Sequence, residues 1–138
     1  MKPENIHGIF TEIAVVDSLL VCGNLRSEKL LNIYSLKSKK LLKEIIQRGT
    51  AKNEGLSSAS LYIQNNNIPF IYTYDITLGK LFKINLKNTE IEKEIHLTGD
   101  LKNLIFPSII NDSILLATTY ASDDNRYFYA NIQSLFKN

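Results

Sequence analysis

Residues 61–97 read LYIQNNNIPFIYTYDITLGKLFKINLKNTEIEKEIHL, and this stretch decides the fold. Four short segments rich in Ile, Leu, Tyr and Phe follow one another at 60–63, 70–74, 80–86 and 91–97, bounded by Asn, Asp, Gly or Pro. Short β-formers punctuated by turn formers are the pattern of consecutive antiparallel strands. Gly79 suits the left-handed position that closes a loop of the length of 75–79. Pro69 stands at a strand start, where its missing N–H does least harm. The stretch therefore reads as one four-stranded unit.

The rest of the chain copies that unit. Moving the sequence by about 50 residues, a spacing typical of propeller blades, places Leu31 on Leu81, Leu36-Lys37 on Leu86-Lys87, Lys43-Glu44-Ile45 on Lys93-Glu94-Ile95, and Leu20-Val21 on Phe70-Ile71. A third, shorter copy shows Asp112-Ser113-Ile114-Leu115-Leu116 against Asp17-Ser18-Leu19-Leu20-Val21, and Ala130-Asn131-Ile132 against Ile84-Asn85-Leu86. The fold class is thus all-β, a β-propeller-like array of about three four-stranded antiparallel blades in a single domain of residues 1–138. The blades fall near 11–48, 58–98 and 106–138. First-copy strands are expected at 12–16, 19–22, 29–36 and 41–46, and third-copy strands at 108–110, 113–119 and 126–132.

Residues 27–48 also admit an amphipathic helix, with Ser27 as N-cap and Gly49 past the end. On that wheel Lys37 and Ser38 fall in or beside the apolar stripe, and the aligned copy carries Asn88-Thr89 there, a good turn and a poor helix centre. Two copies of one unit share one structure, so strands are expected.

The chain has 138 residues, 44% of them hydrophobic, and a formal charge of +2 with Lys and Glu interspersed. It can bury a core, in which Leu31, Ile33, Ile71, Leu81, Ile84, Leu115 and Phe128 are expected, and it shows no basic face for a nucleic-acid partner. Cys22 is the single cysteine, which excludes an intrachain disulfide. Residues 1–8 lack the apolar core of a signal peptide, and no apolar run approaches membrane-spanning length. As written, the chain is expected to be soluble and not exported.

With the repeat in place, the chain resembles the TolB-like six-bladed propeller proteins. The likeness is carried by Ile71-Tyr72-Thr73-Tyr74-Asp75-Ile76 followed by Gly79-Lys80-Leu81-Phe82-Lys83-Ile84, with Arg48-Gly49 and Asn53-Glu54 as a glycine-rich crossover ahead of them. It spans residues 12–132 and marks a blade, not a reaction, so it implies no catalytic residues. It also implies half of a ring, and the cell envelope of a Gram-negative bacterium if the N-terminus is truncated.

Candidate chemistry is sparse. His7, His96 and Cys22 lie too far apart in sequence to suggest a zinc site, and no metal or other cofactor is expected. His96 alternates with Ile95 and Leu97, so it faces solvent or an adjoining blade; Cys22 reads as a small buried side chain. The polar crossover 47–58, bounded by Gly49 and Gly55, lacks the Lys-Ser or Lys-Thr a P-loop requires after its second glycine. Asp123-Asp124-Asn125 matches no calcium-loop spacing and reads as a solvated loop tip. Tyr72, Tyr74, Tyr120, Tyr127 and Tyr129 read as packing between blades.

What remains is a rigid repeat with variable loops on one rim. The candidate binding residues are Asn24 and Arg26, Asp75 and Thr77, and Tyr120, Asp123 and Asp124. The expected function is a non-catalytic binding or scaffold module for a protein or glycan partner. The alternatives are a metal-dependent hydrolase or lyase of six-bladed propeller type, or a truncated product with no independent role. Three blades leave an apolar face uncovered at each end, so a homodimer completing a six-bladed ring is also expected.

Overall fold

The computed structural model describes residues 10–24, 27–57, 61–65, 67–97, 104–110, 114–119 and 127–131. Every regular element among them is a strand. The first sheet holds β1 (Phe10–Val16), β2 (Leu19–Asn24), β3 (Lys29–Ser35), β4 (Leu41–Arg48) and β5 (Glu54–Gly55) in that spatial order. The second holds β6 (Leu61–Asn65), β7 (Pro69–Asp75), β8 (Lys80–Asn85) and β9 (Glu90–His96). The third holds β10 (Leu104–Ile110), β11 (Ile114–Thr119) and β12 (Tyr127–Asn131). Neighbours pair antiparallel except β4 with β5.

Residues 27–48 form the β3–β4 hairpin and no helix. Its turn closes through Lys39 N donating to Ser35 O (2.8 Å) and Ser35 N donating to Lys40 O (2.9 Å), with Lys39 at φ 58. In the third sheet β10 runs through Pro107, and its register against β11 shifts between Ile105 and Ser108. A residue without an N–H cannot complete that ladder, so a local irregularity is its accommodation.

The first two sheets are copies, with one correction to the alignment. Leu36 N donates to Ser18 O (2.7 Å), and Leu86 N donates to Pro69 O (3.0 Å). These equivalent bonds set β3 and β8 apart by 86 − 36 = 50 residues but β2 and β7 by 69 − 18 = 51. Leu20, not Val21, is therefore the counterpart of Ile71, and Asn24 is the counterpart of Asp75. The physical cause is the β2–β3 connection. The pair Gly23↔Leu31 encloses one more residue than the pair Tyr74↔Leu81.

That shift settles which faces meet. Directly opposed residues share a face, so Ala14, Val16, Val21, Leu31 and Ile33 point to one side of the first sheet. Leu61, Ile71, Phe82 and Ile84 do the same on the second. The two sets, with Leu86, form one core cluster at the seam between the sheets. Burying a side chain of this size contributes about 1.5–3 kcal/mol, which makes the seam the main apolar stabilisation among the described residues. Leu31, Ile33, Ile71, Leu81 and Ile84, all expected inside, are fully buried. The side chains of Leu115 and Phe128 lie outside the described residues.

Candidate functional site

The seam has a polar end. It lies where the β7–β8 turn meets residues 49–57, the crossover that leaves the first sheet for the second. The turn is built by Asp75 and Gly79. Gly79 takes φ 67 and its N–H donates to Asp75 O at 2.8 Å, while Asp75 Oδ1 accepts from Thr77 N (2.9 Å) and Leu78 N (3.0 Å). The same carboxylate reaches across the seam. Its Oδ1 accepts from Ser57 Oγ at 2.8 Å, and its Oδ2 accepts from Leu56 N at 2.7 Å.

Lys80 stands directly opposite Asp75 in the β7–β8 ladder and grips the other half of the crossover. Its Nζ donates to Ala51 O (2.8 Å) and Glu54 O (3.0 Å) and lies 3.4 Å from Glu94 Oε2. Glu94 Oε2 in turn accepts from Asn53 N at 2.7 Å. Asp75 is fully buried and the Lys80 side chain is 1% exposed. Taking such charges out of water is costly unless each is hydrogen-bonded. Here Asp75 receives four donors, and Lys80 meets two carbonyls and a carboxylate.

The glycines of the crossover now have a reason. Gly49 N donates to Gly55 O at 3.0 Å, folding the loop back so that β5 pairs parallel with the end of β4. A Cβ on Gly49 would run into the Glu54 carboxylate, which accepts from Ala51 N at 2.9 Å. A Cβ on Gly55 would meet Asp75 Oδ2 at 3.0 Å and Leu30 Cδ1 at 3.1 Å. Arg48 fastens the base of the loop, its guanidinium donating to Ser27 O and Leu56 O at 3.1–3.3 Å. Ile46, a buried β-branched residue, is held at φ 63 just before it. Such a backbone state costs about 1–3 kcal/mol and persists only where the surroundings over-determine it.

Of the rim residues read from the sequence, Asn24 and Asp75 prove to be equivalents, both buried at the ends of β2 and β7. Thr77 is exposed at the tip of the β7–β8 turn. Arg26, Tyr120, Asp123 and Asp124 lie outside the described residues. The β2–β3 and β7–β8 connections and the crossover occupy one end of the two sheets. His96 is exposed, with Nε2 3.5 Å from Glu94 Oε1. Cys22 is buried, and burial pushes its thiol above the ordinary value. Tyr72 and Tyr74 are buried, and Tyr74 is pushed up by burial and then by the adjacent Asp75 charge.

Lys80, Glu54 and Glu94 were legible as motif or repeat residues but not as partners. Asp75 and Leu56 lie 19 positions apart, and Lys80 and Ala51 29. A second feature, an open groove of about 470 Å³, runs between the outer strands β4 and β9. Its walls mix Lys29, Lys43 and Lys52 with Glu54 and Glu90, so it has no single electrostatic sign. Among the described residues no group of three His, Cys, Asp or Glu side chains is placed to hold a metal ion, and no helix is long and apolar enough to cross a membrane.

Solved structures share this architecture. A protein of Bacteroides fragilis NCTC 9343 assigned as exported matches with TM-score 0.69 and 17% identity over 95% of this chain and 38% of its own. Dihydro-heme d1 dehydrogenase NirN, in complex with DHE, matches with TM-score 0.61 and 16% identity over 89% of this chain and 26% of its own. The computationally designed Ika8 protein matches with TM-score 0.51 and 10% identity over 86% and 32%. The chain thus spans less than two fifths of each of these structures, and the likeness is one of fold. No curated protein matches it. Repeated antiparallel sheets, a shared seam and a glycine-dependent crossover gripped by the Asp75 turn coincide with a match to the model of the TolB-like 6-blade propeller-like family over residues 9–135, and the chain belongs to that family.

Proposed function

We propose that this chain is a non-catalytic binding or scaffold module, one partial-propeller domain with blades near 11–48, 58–98 and 106–138. It presents one rim of loops to a protein or glycan. The observation that carries this reading is the saturation of the Asp75 and Lys80 charges by the crossover and the β7–β8 turn. Their chemistry is spent on holding the rim rigid, and Thr77 is left at an exposed tip. A preorganised scaffold loses less freedom on binding, which favours recognition by the loops it carries. A homodimer that completes the ring is the assembly in which that rim would be continuous.

The test is a glycan array and a binding screen against envelope proteins, run with the chain and with Thr77→Ala, Arg26→Ala and Asp124→Ala. Retention of an identified partner by the parent and its loss in these variants supports the reading. Turnover of an esterase or lactone substrate with no rim-dependent partner overturns it.

A further inference from the structure

The tip of the β3–β4 hairpin carries a charge that its copy in the second sheet lacks. Residues 36–43 read Leu36-Lys37-Ser38-Lys39-Lys40-Leu41-Leu42-Lys43, all exposed, against Leu86-Lys87-Asn88-Thr89-Glu90-Ile91-Glu92-Lys93. The two turns share a backbone, with Lys39 at φ 58 and Thr89 at φ 57. Their side chains differ: the first stretch sums to +4 and the second to zero. The whole chain is +2, so everything outside the first stretch sums to −2. Among the described residues none of the four lysines has a carboxylate within ion-pair distance. Leu42, 51% exposed, stands where the second sheet has Glu92, itself 45% exposed, so this position points outward in both blades. Leu36 and Leu41 take the places of Leu86 and Ile91, which pack at the seam, and are counted with the sheet face, not with the tip. The bonds from Leu36 N to Ser18 O and from Leu86 N to Pro69 O set both turns beside the starts of β2 and β7, where Ile68 is 40% exposed.

We infer that this end of the two sheets rests on a surface of anionic lipid, with the lysines against headgroups and Leu42 and Ile68 dipping among them. Charge complementarity sets the sign of the partner: four lysines crowd one turn of a chain that is otherwise slightly negative, and Asp17 and Glu90 are the acids of the neighbouring turns. The exposed leucine among them sets its class. Apolar atoms that leave water while ammonium groups stay at headgroup level are the make-up of an interfacial anchor. A nucleic acid would gain nothing from Leu42, and the lysines form no stripe along a strand for a phosphate backbone to follow. β3 runs from the β2–β3 connection to this turn, so contact here turns the Asp75 clasp and the crossover away from the lipid. Lipid contact and ligand capture by the rim use opposite ends of the sheets, and either can fail alone.

The experiment is co-sedimentation of the full chain with phosphatidylcholine vesicles, with and without phosphatidylglycerol, at low and raised salt. The parent should bind the anionic vesicles alone and release them as salt screens the lysines. Lys39→Thr/Lys40→Gln should weaken binding about 25-fold, at about fivefold per lysine, and Thr89 at φ 57 shows that this turn accepts threonine. Lys29→Gln/Lys52→Gln, the same loss of charge elsewhere, should bind as the parent does. Leu42→Ser, with every lysine kept, should also bind more weakly. Circular dichroism checks the fold of each variant. Hydrogen exchange on the parent, needing no variant, should show protection of residues 36–43 appearing with anionic vesicles. No binding to anionic vesicles, equal binding to neutral ones, or an equal loss in both lysine pairs would overturn the inference. So would a Leu42→Ser variant that binds like the parent, which would assign the tip to an acidic polypeptide.

Discussion

The first and second sheets are two editions of one blade, and they part company at both ends of the same face. Where the second has Asp75 and Lys80, gripping the crossover, the first has Asn24 and Leu30. Where the second buries Leu61 and Leu86, the first exposes Ile13 and Leu36. Equivalent positions in a repeat thus differ in burial because burial is conferred by a neighbour. Position in the strand only decides which neighbour a side chain addresses.

The sharpest way to break the comparison is to remove the grip. Asp75→Ala strips the acceptor from Leu56 N, Ser57 Oγ, Thr77 N and Leu78 N together. Losing one member of a buried charged network costs about 3–5 kcal/mol. Urea denaturation should show a loss of that order, whereas Asn24→Ala in the first sheet should lose clearly less. Equal losses would mean that the carboxylate network contributes nothing beyond an ordinary buried amide.

Next in size is the transplant. Asp75→Asn and Lys80→Leu place the first sheet's residues in the second. Each single change should cost about 1.5–3 kcal/mol, the scale of a hydrogen bond to a charged group. The double variant should fall short of the sum, because both act on one loop. Strict additivity in a thermodynamic cycle would show that the two ends of the crossover are held independently.

A smaller effect is expected at Gly79. Its φ of 67 lies where an L side chain is strained, so Gly79→Ala should cost about 1–2 kcal/mol. A loss below experimental error would show that the turn relaxes out of the left-handed region at little expense.

The smallest effect is a slope with pH. Burial, then the Asp75 charge, raises the Tyr74 phenol above its ordinary value. The folded state then keeps its proton at a pH where the unfolded chain has released it. The sign follows from linkage: stability is fully present below about 10, the unfolded phenol value, and is lost as pH rises through the folded value. Tyr74→Phe should flatten the alkaline limb of the stability curve. An unaltered limb would assign that slope to other groups.

Much of the fold was legible in the chain. Alternation of apolar residues with Asn, Asp, Gly and Pro placed the strands of the second sheet within a residue or two, and the repeat converted the ambiguous 27–48 segment into a hairpin. The one-residue slip between β2 and β7 was not legible, because Leu20-Val21 and Phe70-Ile71 look alike at either offset. Backbone bonds from Leu36 and Leu86 decided it. The polar end of the seam was half legible. Asp75, Gly79, Lys80 and Arg48-Gly49 stood out as motif residues, yet nothing in their order says that a carboxylate should take the N–H of a residue 19 positions earlier.

By itself the sequence determined that the chain is all-β and that it repeats, because period-two alternation and turn chemistry are local properties of the backbone. Only the tertiary structure decided what each inward face meets. It put Leu86 in the core and left Leu36 in water, and it made Asp75 and Lys80 the clasp of a crossover. The physical reason is that burial and charge compensation belong to pairs of surfaces, and a one-dimensional pattern names just one member of each pair.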